Sequence, residues 1–166
     1  VASDGAAGYY FGYYFTVSNN VMLISSRNTT AKVGKVYIFT LNPTTKLWTQ
    51  DTTNILTETN SASHFEEYGV STGFSNNNIF VSAFKYGSSK KGRVFHYYYN
   101  PDTNTKRFIA FIDGFQNQDR FGSHLKVRDN KLIVGGNSMF NNGALVVMED
   151  KSNILNSNNI INPSFN

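Results

Sequence analysis

Short apolar runs separated by polar turns fill this chain, and no window sustains the three-and-four apolar spacing of an amphipathic helix. Val, Ile, Phe, Tyr and Thr make up the runs, while Gly, Asn and Ser punctuate them. Those are the residues of strands and of tight turns, so the chain reads as all-β. Several runs, such as Val21-Met22-Leu23-Ile24 and Ile79-Phe80-Val81, are apolar at consecutive positions rather than at alternate ones. A strand of that kind needs cover on both faces, which sheets obtain by stacking face to face.

The pattern recurs three times. Aromatic–glycine pairs stand at Phe11-Gly12, Tyr68-Gly69 and Phe121-Gly122, spaced 57 and 53 residues apart. In each copy an apolar strand is predicted to open ten residues after the aromatic residue, at Val21, Asn78 and Lys131. A polar loop, a glycine (Gly34, Gly92, Gly143) and a second β-rich run follow. In the first two copies Asn42-Pro43 and Asn100-Pro101 then predict a turn into a fourth strand, through Leu47-Trp48 or Phe108-Ile109-Ala110-Phe111. The expected repeats are 1–60, 61–116 and 117–166, each one small antiparallel sheet of about four strands.

The opening segment through Phe11-Gly12, the run Gly34-Lys35-Val36-Tyr37-Ile38-Phe39 and the segment Thr45-Lys46-Leu47-Trp48 resemble the FG-GAP repeat. That repeat is the blade unit of the integrin α-subunit propeller and of many microbial surface proteins. The kelch repeat is the nearest alternative and belongs to the same propeller class. The resemblance implies β-propeller blades: three four-stranded FG-GAP-like repeats, part of a larger or multi-chain propeller, since propellers close with about four to eight blades. Val1 falls inside the loop before an aromatic–glycine pair, and Ile160-Ile161-Asn162-Pro163 reads as a strand lent to a neighbouring blade. Both features lead to the expectation of self-association or of the remainder of a longer propeller as partner. Phe11, Gly12, Tyr68, Gly69, Phe121 and Gly122 are the expected blade-packing residues, the aromatic ring wedging adjacent sheets while the glycine permits close backbone approach. An extracellular or cell-surface location is a further implication of the resemblance.

Composition narrows the rest. The 166 residues contain no cysteine, so no disulfide is expected, and the net charge of +4 comes from lysines and arginines spread through many loops. A nucleic-acid partner needs basic side chains gathered on one face. The densest group, Lys85, Lys90, Lys91 and Arg93, reads as a solvated loop and a strand edge guarded against pairing. No nucleic-acid partner is expected. No apolar run approaches the roughly 20 residues needed to span a bilayer, so membrane insertion is not expected either. Asn28-Thr29-Thr30 is a sequon in an inter-strand loop, which makes Asn28 a candidate N-glycosylation site.

Constellations for chemistry are sparse. Calcium would need six to eight oxygens including carboxylates, whereas the turns Ser18-Asn19-Asn20, Ser75-Asn76-Asn77 and Arg128-Asp129-Asn130 are short. They read as hairpin connections in which Asn takes a positive φ. Asp4, Glu66 and Asp119 precede the three aromatic–glycine pairs and read as acceptors for turn N–H groups or as partners of Arg120 and Lys126. Asp113, Asp119 and His124 are the best set for a hydrolase, without a matched acid and base in evidence. His64, His96 and His124 lack the close spacing of zinc ligands, and no nucleophile elbow or cysteine is present. No catalytic residue, metal or cofactor is therefore assigned. Tyrosines are abundant, and Tyr10, Tyr14 and Tyr98 are the candidates for exposed recognition surface. The function expected is a non-enzymatic adhesion, assembly or scaffolding module. The alternative is a lectin with one shallow glycan site per blade.

Overall fold

The computed structural model describes residues 2–5, 9–28, 34–57, 67–128 and 131–149. Three antiparallel meanders follow one another along the chain. Sheet 1 is β1 (Tyr9–Ser18), β2 (Val21–Asn28), β3 (Lys35–Leu41) and β4 (Trp48–Thr57). Sheet 2 is β5 (Tyr68–Ser75), β6 (Asn78–Ala83), β7 (Arg93–Asn100) and β8 (Thr105–Asp113). Sheet 3 is β9 (Phe121–Arg128), β10 (Lys131–Gly136) and β11 (Ala144–Glu149), and one turn of 3-10 helix, Met139–Asn141, precedes β11. Among the described residues there is no α-helix.

Turn chemistry sets these boundaries. Asn19, Asn76 and Asn77 take positive φ in the hairpins that join the first two strands of sheets 1 and 2, as Asn tolerates best after Gly. After each Asn-Pro, Asn42 Oδ1 accepts the N–H groups of Thr44 and Thr45, and Asn100 Oδ1 accepts that of Asp102. Lys46 and Asn104 then turn left-handed at matching positions. The fourth strands begin at Trp48 and Thr105, one residue later and three residues earlier than the apolar runs predicted. Asp129, Asn130, His64, Glu66 and the 160–163 segment lie outside the described residues.

The sheets stack, and sheet 2 lies in the middle. Along β6 the odd positions Ile79, Val81 and Ala83 join Val21, Leu23, Val36, Ile38 and Leu56 of sheet 1 in one core. Phe80, from the opposite face, joins Phe121, Leu125, Leu132 and Val134 of sheet 3 in a second core. Period-two alternation thus feeds two cores at once, which is why the run Ile79-Phe80-Val81 is apolar at consecutive positions.

The aromatic–glycine pairs form the joints. In each sheet the pair opens a β-bulge: the register shifts between Phe11 and Phe15, between Tyr68 and Thr72, and beside Phe121 opposite Gly135-Gly136. Gly12, Gly69 and Gly122 supply the left-handed residue at φ 91°, 83° and 89°, a conformation that disfavours any Cβ. The bulged backbone is sealed by a serine. Ser25 Oγ lies 3.0 Å from Tyr14 N and 3.2 Å from Tyr14 O, and Ser82 Oγ lies 3.0 Å from both N and O of Ser71. In sheet 3, where a glycine replaces that serine, Ser123 Oγ donates to Gly135 O at 3.0 Å from the facing strand.

Each bulge rests on the sheet before it. A Cβ on Gly69 would lie 3.0 Å from Ser25 Cβ and 3.0 Å from Val36 Cγ2, and one on Gly122 would lie 2.9 Å from Ser82 Cβ and 3.3 Å from Val94 Cγ2. The serine and valine of these two joints occupy corresponding strand positions. At Gly12 no described atom comes within 4 Å of that point. A left-handed alanine costs about 1–2 kcal/mol at any of the three positions. Crowding should add about 1–3 kcal/mol at Gly69 and Gly122 alone. Chemical denaturation of Gly12→Ala, Gly69→Ala and Gly122→Ala should therefore show the first as clearly the mildest. Equal losses in all three would contradict the joint.

Candidate functional site

Each sheet has a leading face, turned toward the preceding sheet, and a trailing face, turned toward the next. In sheet 2 the leading face is aromatic: Tyr68, Phe74, Phe95, Tyr97 and Tyr99 are buried on the aliphatic trailing face of sheet 1. Tyr68 and Phe95 meet edge to face at 5.3 Å. Sheet 1 builds the same face with no other sheet against it among the described residues, and the N-terminal segment lies over part of it: Asp4 accepts from Tyr37 Oη at 2.8 Å, and Tyr37 is fully buried. Phe11 meets Tyr37 edge to face at 5.4 Å, and Phe39 lies 6.2 Å from Phe11. The rows Phe15–Ile24–Tyr37 and Val17–Met22–Phe39 run across the strands. Phe15, at the position that Thr72 holds in sheet 2, is 66% exposed, and Val17, at the position of buried Phe74, is 51% exposed.

Among the described residues the trailing face of sheet 3 likewise has no sheet against it. Leu145 stands where Val36 and Val94 receive the glycine of the following sheet, and it is 62% exposed beside exposed Val147. Gly34 and Gly92 are forced to be glycine because a Cβ would sit 1.9 Å from Tyr68 O and 2.1 Å from Phe121 O of the next sheet. At the corresponding Gly143 the nearest such atom is 3.4 Å away, within its own sheet. The two ends of the stack thus repeat features of the two sides of the internal joints, each without a facing sheet among the described residues.

Between these ends the sheets are pinned by polar contacts. On the inner strands Thr16 Oγ1 donates to Thr72 O at 2.8 Å, and Leu125 N donates to Ser71 Oγ at 3.0 Å. A cleft of about 210 Å3 opens at the ends of β1, β5 and β9, lined by Thr16, Ser18, Thr72, Phe74, Lys126 and Arg128 among others. Glu67, at φ 75°, pairs with Arg27 of sheet 1 and Lys85 of sheet 2.

At the outer strands Asp51 is buried in a polar cluster. Its Oδ1 accepts the N–H groups of Thr53 and Asn54 at 2.9 and 3.0 Å, and its Oδ2 accepts Asn54 Nδ2 at 2.8 Å and lies 3.1 Å from Tyr99 Oη of sheet 2. Asn54 Nδ2 also donates to Asn104 O at 2.9 Å, while Lys106 Nζ donates to Ile55 O at 3.1 Å. Burial alone would raise the Asp51 carboxyl, yet the hydrogen bonds from Asn54, Thr53 and Tyr99 prevail and hold it below its ordinary value. Burial pushes the Tyr99 phenol up, with Asp51 adding to it, and pushes the Lys106 ammonium down against the opposing pull of Asp51.

The residues singled out by sequence are dispersed. Phe11 is half-buried, whereas Tyr68 and Phe121 are fully buried at the two joints. Tyr10 is 59% exposed, but Tyr14 and Tyr98 are half-buried, and Tyr98 lies on β7 of another sheet with Arg107 5.8 Å from its ring centre. The three do not form one surface. Asn28 closes β2, and its side chain with Thr29-Thr30 lies outside the described residues. Asp119 Oδ2 accepts the N–H of Gln116 at 2.5 Å, Asp4 accepts from Lys35 and from Tyr37 Oη, and Asp113 holds Arg93 in a two-pronged ion pair. These acids are tied to turns and strand edges. Arg93 is also stacked, 3.5 Å from the Phe111 ring centre and 3.9 Å from that of Tyr86. With Lys85 on Glu67, two of the four residues in the basic group are engaged in ion pairs. Sequence reasoning missed Phe15, Val17 and Leu145, although aligning the copies would have matched Val17 to Phe74 and Leu145 to Val94. It also missed the Asp51 cluster, because the partners Tyr99, Asn104 and Lys106 lie 48 to 51 residues along the chain from the groups they meet. No protein-family model and no curated protein matches the chain.

Because the folded-state pKa of Asp51 is depressed, its contribution to stability is present above the ordinary value of 3.8 and is lost as pH falls through the folded-state value. Unfolding midpoints followed from neutral pH into acid should drop for the wild-type protein, and Asp51→Asn should be less stable at neutral pH with a shallower acid slope. The neutral-pH loss should be about 1–3 kcal/mol, the cost of leaving buried donors poorly matched. An unchanged acid slope would remove Asp51 from this role.

Proposed function

We propose that this chain is a run of β-propeller blades whose work is assembly, a non-enzymatic module that binds through stacked sheet faces and presents loops at a cell surface or outside the cell. One observation carries the reading. Two internal joints are built to the same plan, and the chain offers the aromatic half of a third joint on sheet 1 and the aliphatic half on sheet 3. An apolar face with Phe15, Val17, Met22, Ile24 and Phe39 in adjoining rows favours cover by another surface. The resemblance to FG-GAP surface repeats agrees with sheets arranged as blades and with an external location.

Sedimentation velocity over a dilution series should show the mean mass rising with concentration. Val17→Lys should weaken that association by about thirtyfold, the loss typical of an interfacial hot spot. A wild-type protein that remains at the mass of one chain throughout would overturn the proposal.

A further inference from the structure

We infer that the leading face of sheet 1 is covered by the trailing face of sheet 3 from a second copy of this chain, in a head-to-tail joint. The inference rests on the assembly reading and adds the identity of the occupant. Its geometry is already present twice in the molecule. A sheet's bulge glycine lies over the serine and valine of the sheet before it, and the carbonyl of its aromatic residue lies over a glycine of that same sheet. Transferred to the ends, Gly12 lies over Gly135 and Leu145, and Phe11 O lies over Gly143. The missing side chain at Gly135 leaves room that Leu145, larger than the valine it replaces, is placed to fill: a Cβ on Gly135 would come within 3.3 Å of Leu145 Cδ2. On the inner strands the Thr72–Thr16 contact becomes Phe15 against Lys126. The exposed lysine can lay its stem on the ring and bring its ammonium to the ring face.

Head-to-tail contacts are heterologous, so they close into a ring or run on as a fibre. Two copies bring six sheets, within the about four to eight blades at which propellers close. The expected particle is therefore a ring of two chains with two identical joints.

The experiment uses Phe15→Asp, which spoils only the leading face, and Leu145→Asp, which spoils only the trailing face. Both residues are exposed in the single chain, so the circular dichroism spectra should stay near wild type, and thermal midpoints should match that of wild-type protein diluted to single chains. Wild-type protein should sediment at twice the chain mass, and each variant alone at the chain mass. An equal mixture of the two variants should restore a one-to-one pair, since one intact leading face then meets one intact trailing face. Association that survives Leu145→Asp, or variants that fail to rescue one another, would overturn the second-copy inference while leaving assembly itself intact. A wild-type protein that never associates would remove the assembly reading as well.

Discussion

A left-handed glycine after a buried aromatic residue is the constraint on which this molecule depends. It bends the first strand of each sheet into a bulge, and in sheets 2 and 3 it comes with a ring buried in the core and a backbone within side-chain distance of the preceding sheet. The sheets approach so closely there that a Cβ at Gly69 or Gly122 would be crowded by the serine and valine beneath it. The apolar alternation of β6, whose two faces feed two cores, follows from being clamped on both sides. Sheet 2 thus shows what a sheet between two others looks like, while sheets 1 and 3 each have one neighbouring sheet among the described residues.

Polar groups decide how the joints are held rather than whether they form. Ser25 and Ser82 bond the amide and carbonyl of Tyr14 and of Ser71, which the bulges of sheets 1 and 2 remove from the ladder. Glu67 ties sheet 1 to the loop before β6's partner strand, and the Asp51 cluster does the same at the outer strands. Of the acids that looked like raw material for catalysis, Asp119 accepts a turn N–H and Asp113 pairs with Arg93 within sheet 2.

Much of the fold was legible because strands, turns and repeats are local. The strand openings at Val21, Asn78 and Lys131 follow from a fixed distance to the aromatic–glycine pair, and the Asn-Pro turns follow from side chains that bond their own backbone. The fourth strands were misplaced by one to three residues because their ends are polar, as in Thr105-Lys106-Arg107, and paired by register rather than by burial. Recognition surface was harder to read. Tyrosine identity suggested Tyr14 and Tyr98, but exposure depends on whether a neighbouring sheet exists, and the same position is buried in Phe74 and open in Val17. Only the comparison of copies within one molecule separates these cases.

The proposed joint makes the end of the stack equivalent to its interior, so the most direct measurement is the identity of whatever touches Phe15 in solution. A photo-reactive benzophenone side chain placed at residue 15 of the full chain should cross-link to β9, β10 or β11 of another copy, with peptides containing Lys126 or Leu145 as the principal adducts. Adducts confined to its own chain, or joining residue 15 of one copy to residue 15 of another, would contradict the shared joint.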